Sequence, residues 1–239
     1  VALGALAATG ARAAAVAVDV GHFLARPGAT SAYGVPEFEY NHSLAAVIAA
    51  RLAAGGAAVR LIGHRGELAD LHARPREAEE GGAGFLLSVH HDSVKAHLLE
   101  PWVWRGRELA HSESASGFSL FVSRRNPQLA HSLACASAIG AALRAAGLHP
   151  TPHHTVGADG VGRPWADEQN GVYYYDNLVV LKYTRLPGVL LEAGVIINRD
   201  EERELASPAR RALTADAVAA GLAACGVTSG GGSAKMRSN

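Results

Sequence analysis

AVDVGHFLARPGA, residues 17–29, runs apolar as far as Val20 and then breaks at Gly21-His22. Five of the six residues from Ala15 to Val20 are Ala or Val, which suits a buried β-strand. A histidine where such a strand ends, with a Pro-Gly loop behind it, is either a plain strand-end residue or one member of a site. The second reading has a physical basis, because chemistry in an open α/β sheet gathers outside the carboxyl ends of the strands. It also makes a demand: other strand ends and helix starts must supply partners.

Working outward, residues 40–54 place Leu44, Val47, Ile48 and Leu52 at helical spacing, and Gly55-Gly56 ends that helix. AVRLI (58–62) reads as a second strand, 67–80 as a helical region interrupted or restarted at Pro75, and GFLLSVH (84–90) as a third strand that again ends at a histidine. GFSLFVS (117–123) reads as a fourth strand and 127–146 as a helix opened by Pro127 and closed by Gly147. GVLLEAG (188–194) is a last buried strand and 208–223 a last helix starting at Pro208. Strands separated by helices predict a single α/β domain, a mostly parallel twisted sheet with helices on both faces. Segments 91–116 and 148–171 resist assignment, and loops of that length in a compact domain are usually functional.

Composition narrows the classes. With 239 residues, 49% of them hydrophobic, the chain is ample for one domain and cramped for two. Lys+Arg and Asp+Glu balance at 22 each, and no basic run is interleaved with aromatic residues, so nucleic acid is not an expected partner. No stretch is long and apolar enough to span a bilayer. The opening VALGALAATGARA ends in Ala11-Arg12-Ala13, a signal-peptidase pattern, so 1–13 read as the tail of a secretory signal, 14–226 as the catalytic domain and 227–239 as a disordered tail. Export to the periplasm or the medium follows from that reading. Cys135 and Cys225 fit one disulfide or two buried thiols equally well.

The strand-end partners exist. His22 ends the first strand and His90 the third, so a parallel sheet brings both to one edge. Glu39 stands where the first helix begins. Two imidazoles and a carboxylate leave a fourth position open, the pattern of a catalytic Zn²⁺ site. Glu192 lies inside the last apolar strand, where a carboxylate is costly to bury unless paired, ligated or used. Beside such a metal it serves as a general base that passes a proton to a leaving nitrogen.

VDVGH (18–22), the glutamate of EYNHSLA (39–45), SVHHD (88–92) and PGVLLEAGVIINRDEE (187–202) resemble the successive motifs of the zinc-dependent N-acetylmuramoyl-L-alanine amidases of the amidase-3 type. The resemblance runs from about Val16 to Leu222 and implies zinc ligands at His22, Glu39 and His90 and a catalytic glutamate at Glu192. It implies hydrolysis of the amide between N-acetylmuramic acid and the L-alanine of the stem peptide in peptidoglycan, during wall remodelling or daughter-cell separation. Glu37 rivals Glu39, which is preferred because its distance to Leu44-Ala45 matches the family. Arg74 sits where such proteins carry an arginine; with His154 and Asn177 it is an expected substrate contact. In the family's first motif a Pro and a Gly stand where this chain has Val20 and Phe23.

Several such amidases carry an inserted helix that blocks the site until an activator protein docks; segment 91–116 is suitably placed but short. A monomer is expected. His91 should point away from His90 and act as a surface residue or as support. Trp102, Trp104 and Trp165 serve either to stack on substrate or as packing anchors. The rival readings are a zinc peptidase cutting within the stem peptide and a non-catalytic wall-binding module.

Overall fold

The computed structural model describes residues 15–155 and 162–228. β1 (Ala15–Val20), α1 (Glu37–Ala54), β2 (Ala58–Ile62), α2 (Ala73–Glu80) and β3 (Phe85–Asp92) form the first half. They are followed by β4 (Glu100–Trp104), β5 (Arg107–His111), β6 (Ser119–Val122), α3 (Leu129–Ala145), β7 (Trp165–Asp167) and β8 (Val172–Tyr174). The chain closes with α4 (Val179–Tyr183), β9 (Gly188–Val195), α5 (Arg199–Leu205) and α6 (Pro208–Ala224). Seven strands form one sheet in the order β2-β1-β3-β9-β6-β8-β7, while β4 and β5 pair separately. Within the sheet β2, β1, β3 and β9 run parallel, β6 joins β9 antiparallel, and β7 joins β8 antiparallel. This is the mostly parallel α/β sheet that the alternation of strands and helices predicts.

Strand alternation divides the core. Val16, Val18 and Val20 face one side with Leu44 and Ile48 of α1, Ile139 of α3 and Val218 of α6. Ala17 and Leu86 face the other side with Ala78 of α2. A Cys135–Cys225 disulfide ties α3 to the end of α6, which resolves the two cysteines as a bonded pair. Among the described residues no helix is long and apolar enough to cross a membrane. The expected signal remnant at 1–13 lies outside the described residues, as does 229–239 of the expected tail.

The two unassigned segments carry structure. Residues 100–111 form the β4–β5 hairpin, closed by Arg105-Gly106, both at positive φ (50° and 77°) as a two-residue hairpin turn requires. The hairpin packs on the loop after β1: Trp102 Nε1 donates to Ala32 O, and Tyr33 sits edge-on to Trp102 and Trp104. Trp165 stacks on Tyr173, so all three tryptophans act as packing anchors. The helical region expected over 67–80 shortens to Ala73–Glu80, with Pro75 in its first turn, where a missing N–H costs nothing.

Candidate metal centre

Parallel pairing sets Val20 of β1 against Val89 of β3, so His22 and His90 emerge at the same sheet edge with ring centroids 4.9 Å apart. The carboxylate between them is Glu37. Its Oε2 lies 2.9 Å from His22 Nε2 and its Oε1 lies 3.1 Å from His90 Nδ1. One donor atom from each residue lies within 4.8 Å of the others. Glu39, expected in this place, is exposed on the outer side of α1. The reason is helical phase. The helix starts at Glu37 rather than Tyr40, and a turn of about 100° per residue carries Glu37 and Asn41 toward the strands and Glu39 to solvent.

The trio is held from behind. Asn41 Nδ2 donates to Glu37 Oε1 at 3.0 Å and to the Gly21 carbonyl at 3.2 Å, while its Oδ1 lies 2.8 Å from Nδ1 of buried His91. His91 therefore supports Glu37 through Asn41 and is no surface residue. Burial pushes its imidazole down to about 3, so it is neutral at ordinary pH. Burial works to raise Glu37, but hydrogen bonds from His22 and His90 outweigh it and hold the carboxyl far below the usual range. Gly28, at φ 84°, leaves the space that a Cβ would take from Glu37 Oε2 and His22.

Arg74 is 1% exposed. Its guanidinium pairs with buried Asp19 at 2.6 Å and donates to the carbonyls of Val20, His22 and Leu68. It braces the loop that presents His22, whose backbone is held at φ 66°, and is spent on protein atoms rather than offered to substrate. Arg74, expected as a substrate contact, also borders the cleft described below. Asp19 also accepts from Ser88 Oγ at 2.7 Å, so both of its carboxylate oxygens are engaged across β1 and β3.

Glu192 is the register partner of His90 on β9 and of Ser119 on β6. Its Oε2 is buried without a hydrogen-bond partner. Burial, then the Asp92 and Glu37 carboxylates, push its carboxyl well above the ordinary range. A lone carboxyl beside two imidazoles and a carboxylate, all at one strand edge, is an arrangement for holding and moving a proton. His154 converges instead with Asp92 and His153, as a second cluster. Asn177 is exposed in the turn before Leu178, which lines a cleft of about 320 Å³ with His22, Phe23, Arg26, His90 and Leu71.

The donor chemistry fits a divalent metal: two imidazoles and one ionised carboxylate converge from rigid elements, with the cleft on their open side. The third convergence of donors, His131 with Cys135 and Cys225, fits none, because both sulfurs are in the disulfide.

The acidic run after β9 is structural. Asn198 caps α5 by accepting from Asp200 N and Glu201 N, which turns Glu201 and Glu202 inward. Glu202 accepts from Ser31 Oγ, Tyr33 N and Tyr40 Oη, and Glu201 from Gly117 N and Val195 N. Glu202 fastens the loop after β1, and Glu201 the end of the strand carrying Glu192. The segment 91–116, where some such amidases carry a blocking helix, holds the β4–β5 hairpin, and none of its residues lines the cleft.

A family model described as N-acetylmuramoyl-L-alanine amidase matches residues 16–224. No curated protein sequence matches the chain. Among solved structures, the amidase of Mycobacterium smegmatis is 20% identical at a TM-score of 0.69, over 89% of this chain and 96% of its own. The catalytic domain of an amidase from Bacillus (Paenibacillus) polymyxa var. colistinus is 22% identical at 0.65, over 88% and 96%. The CwlD amidase of Clostridioides difficile, solved with the GerS lipoprotein, is 17% identical at 0.65, over 87% and 96%.

Proposed function

From the premise that this chain belongs to the N-acetylmuramoyl-L-alanine amidase family, we propose that it is a zinc enzyme with His22, Glu37 and His90 as metal ligands and Glu192 as general base. Peptidoglycan is the substrate class of the family. The observation that supports the assignment is the placement of Glu192 Oε2: buried, unpartnered, and on the strand beside His90. When bound, zinc supplies Lewis acidity toward the scissile carbonyl and toward water. Glu192 Oε2 takes the proton of the attacking water and returns it to the departing L-alanine nitrogen, a contribution on the order of 10²–10⁴-fold. Glu37, held by Asn41 and His91, stays ionised and keeps both imidazoles aimed. The cleft walled by Phe23, Leu71 and Leu178 receives the substrate, with Asn177 exposed in the turn beside Leu178, whereas His154, expected as a substrate contact, is not among the residues that line it.

The Cys135–Cys225 disulfide supports an oxidising compartment, hence a periplasmic or secreted enzyme acting in wall remodelling or cell separation. All three proposed ligands come from one chain, so a monomer suffices. A protein partner of the kind seen on the C. difficile amidase would act here by some route other than withdrawing 91–116, which does not line the cleft.

The test is digestion of purified sacculi with the wild-type chain and Glu192→Gln. Release of intact stem peptides with a free L-alanine amine, lost in Glu192→Gln while zinc content is kept, is the expected result. Fragments cut inside the stem would make the protein a peptidase, and wall binding without any release would make it a binding module. Loss of zinc in Glu192→Gln would make Glu192 a ligand.

A further inference from the structure

Two residues beyond His90, Asp92 ends β3 against the short turn His153–Thr155. Its Oδ2 lies 3.1 Å from His153 Nε2 and 2.7 Å from His154 Nε2, and the three donor atoms fall within 4.8 Å of one another. These separations are short, yet Asp92 Oδ2 and His153 Nε2 are buried and make no hydrogen bond of acceptable geometry. The donors converge without being aligned on each other. Buried polar atoms almost always find a partner, and an orphaned carboxylate oxygen facing an orphaned imidazole nitrogen calls for a cation.

The surroundings fix the imidazoles for that purpose. His153 Nδ1 is engaged with Thr151 Oγ1 at 2.8 Å, which leaves Nε2 to point at Asp92, the outer hydrogen bond that metal-ligating histidines usually make. Tyr173 Oη donates to Thr151 O at 2.6 Å and anchors the turn. Phe121 and Tyr173 wall His154 edge-on, and the two histidine rings lie 4.0 Å apart. The three side chains retain 12–18% exposure, so an ion can enter.

We propose that Asp92, His153 and His154 bind a second divalent transition-metal ion, Zn²⁺ being the best match to one carboxylate and two imidazoles. The two donor trios flank Glu192. On one side it pairs in register with His90, and on the other with Ser119, whose Oγ lies 3.2 Å from His154 Nε2. The second trio reaches Ser119, the register partner of Glu192, through His154 and shares no residue with His22, Glu37 and His90. Binding there is independent of the reaction proposed above.

The test is metal stoichiometry. The chain is stripped with chelator, dialysed against Zn²⁺ and assayed by mass spectrometry for zinc per protein, with circular dichroism to confirm folding. Two equivalents are expected in the wild type. One is expected in Asp92→Asn, which keeps the Oδ1 that accepts from Ser93 N, and one in His153→Gln/His154→Gln. His22→Ala should also keep one, held by the second trio, and combining it with His153→Gln/His154→Gln should leave none. One equivalent in the wild type, unchanged in Asp92→Asn and in the double variant, would overturn the proposal. So would two equivalents retained in both variants. Loss of zinc from His22→Ala alone would instead bear on the first trio.

Discussion

Gly21 and His90 face each other across the junction of β1 and β3 so closely that a Cβ on Gly21 would collide with the His90 imidazole. Gly21 N still donates to Val89 O at 3.0 Å, so the backbone there is ordinary strand and the constraint is purely one of space. Gly21→Ala should fold but displace the ring. A misplacement near 1 Å can cost about 10²-fold in rate. Kinetics on a defined muropeptide, with zinc titration alongside, should show activity down by about that factor and zinc bound more weakly. Unchanged kinetics would mean that His90 has slack that the packing does not suggest.

Helical phase makes a paired prediction on α1. Glu39→Gln, on the exposed side, should leave activity and stability unchanged, within about 0.5 kcal/mol. Glu37→Gln removes the ionised carboxylate between His22 and His90 and should lower zinc content by one equivalent and abolish turnover together. The reverse pattern in zinc assays of the two variants would restore Glu39 as the ligand.

Arg74→Met should behave as a stability variant and not as a binding variant. Removing the guanidinium leaves Asp19 buried and charged without its partner, which typically costs about 3–5 kcal/mol. Denaturant unfolding should register that loss. At a temperature where the variant stays folded, KM should shift little; a large rise in KM with unchanged stability would return Arg74 to the substrate.

His91 predicts a pH dependence with a definite sign. Its folded-state value of about 3 lies below the ordinary 6.5, so between those limits the unfolded chain binds the extra proton. Stability of the metal-free protein should be fully present above pH 6.5 and fall with acidification toward pH 3, by up to about 1.4 kcal/mol per unit from this group. His91→Gln, compared by denaturant unfolding at pH 7 and pH 5, should show a shallower loss. Equal slopes in both proteins would place the acid sensitivity elsewhere.

The disulfide spans 90 positions. Chain-entropy reasoning for a loop of that size gives about 4–5 kcal/mol. Calorimetry of Cys135→Ser/Cys225→Ser should therefore show a lower Tm, and adding reductant should move the wild type toward the variant and leave the variant unmoved.

The elements legible in the sequence were those with an unbroken apolar signal. β1, β3 and β9 are buried central strands whose Ala, Val and Leu runs announce themselves, β2 is an edge strand with the short run AVRLI, and α3 and α6 open near Pro127 and at Pro208 and close near Gly147 and Gly226. The β4–β5 hairpin was not legible, because its strands carry Glu, Arg and Trp and pack through ring and cation contacts with Tyr33 and Arg199 rather than through an apolar run. β7, β8 and α4 are too short to show a period. Within the site, His22, His90 and Glu192 follow from strand ends and from a carboxylate in an apolar run. Glu39 was expected where Glu37 lies between the histidines because the start of α1 bears no side-chain cap: Pro36 stands at that position, so periodicity alone could not place the first turn. The Asp92–His153–His154 cluster joins residues some 60 positions apart through a loop without a pattern; only the adjacency of two histidines hinted at it.

His22 occupies a backbone conformation that suits glycine or asparagine better than histidine, at a cost on the order of 1 kcal/mol. That cost gives the protein a direction in which selection would move it if chemistry were ignored. A laboratory lineage chosen only for heat resistance would find replacement of His22 by Gly or Asn among its easiest gains, since neither residue resists the turn and Arg74 would still grip its carbonyl. Survivors of such a screen should be hardier and inert. The presence of histidine at the least comfortable point of the loop is therefore a mark of what the loop is kept for.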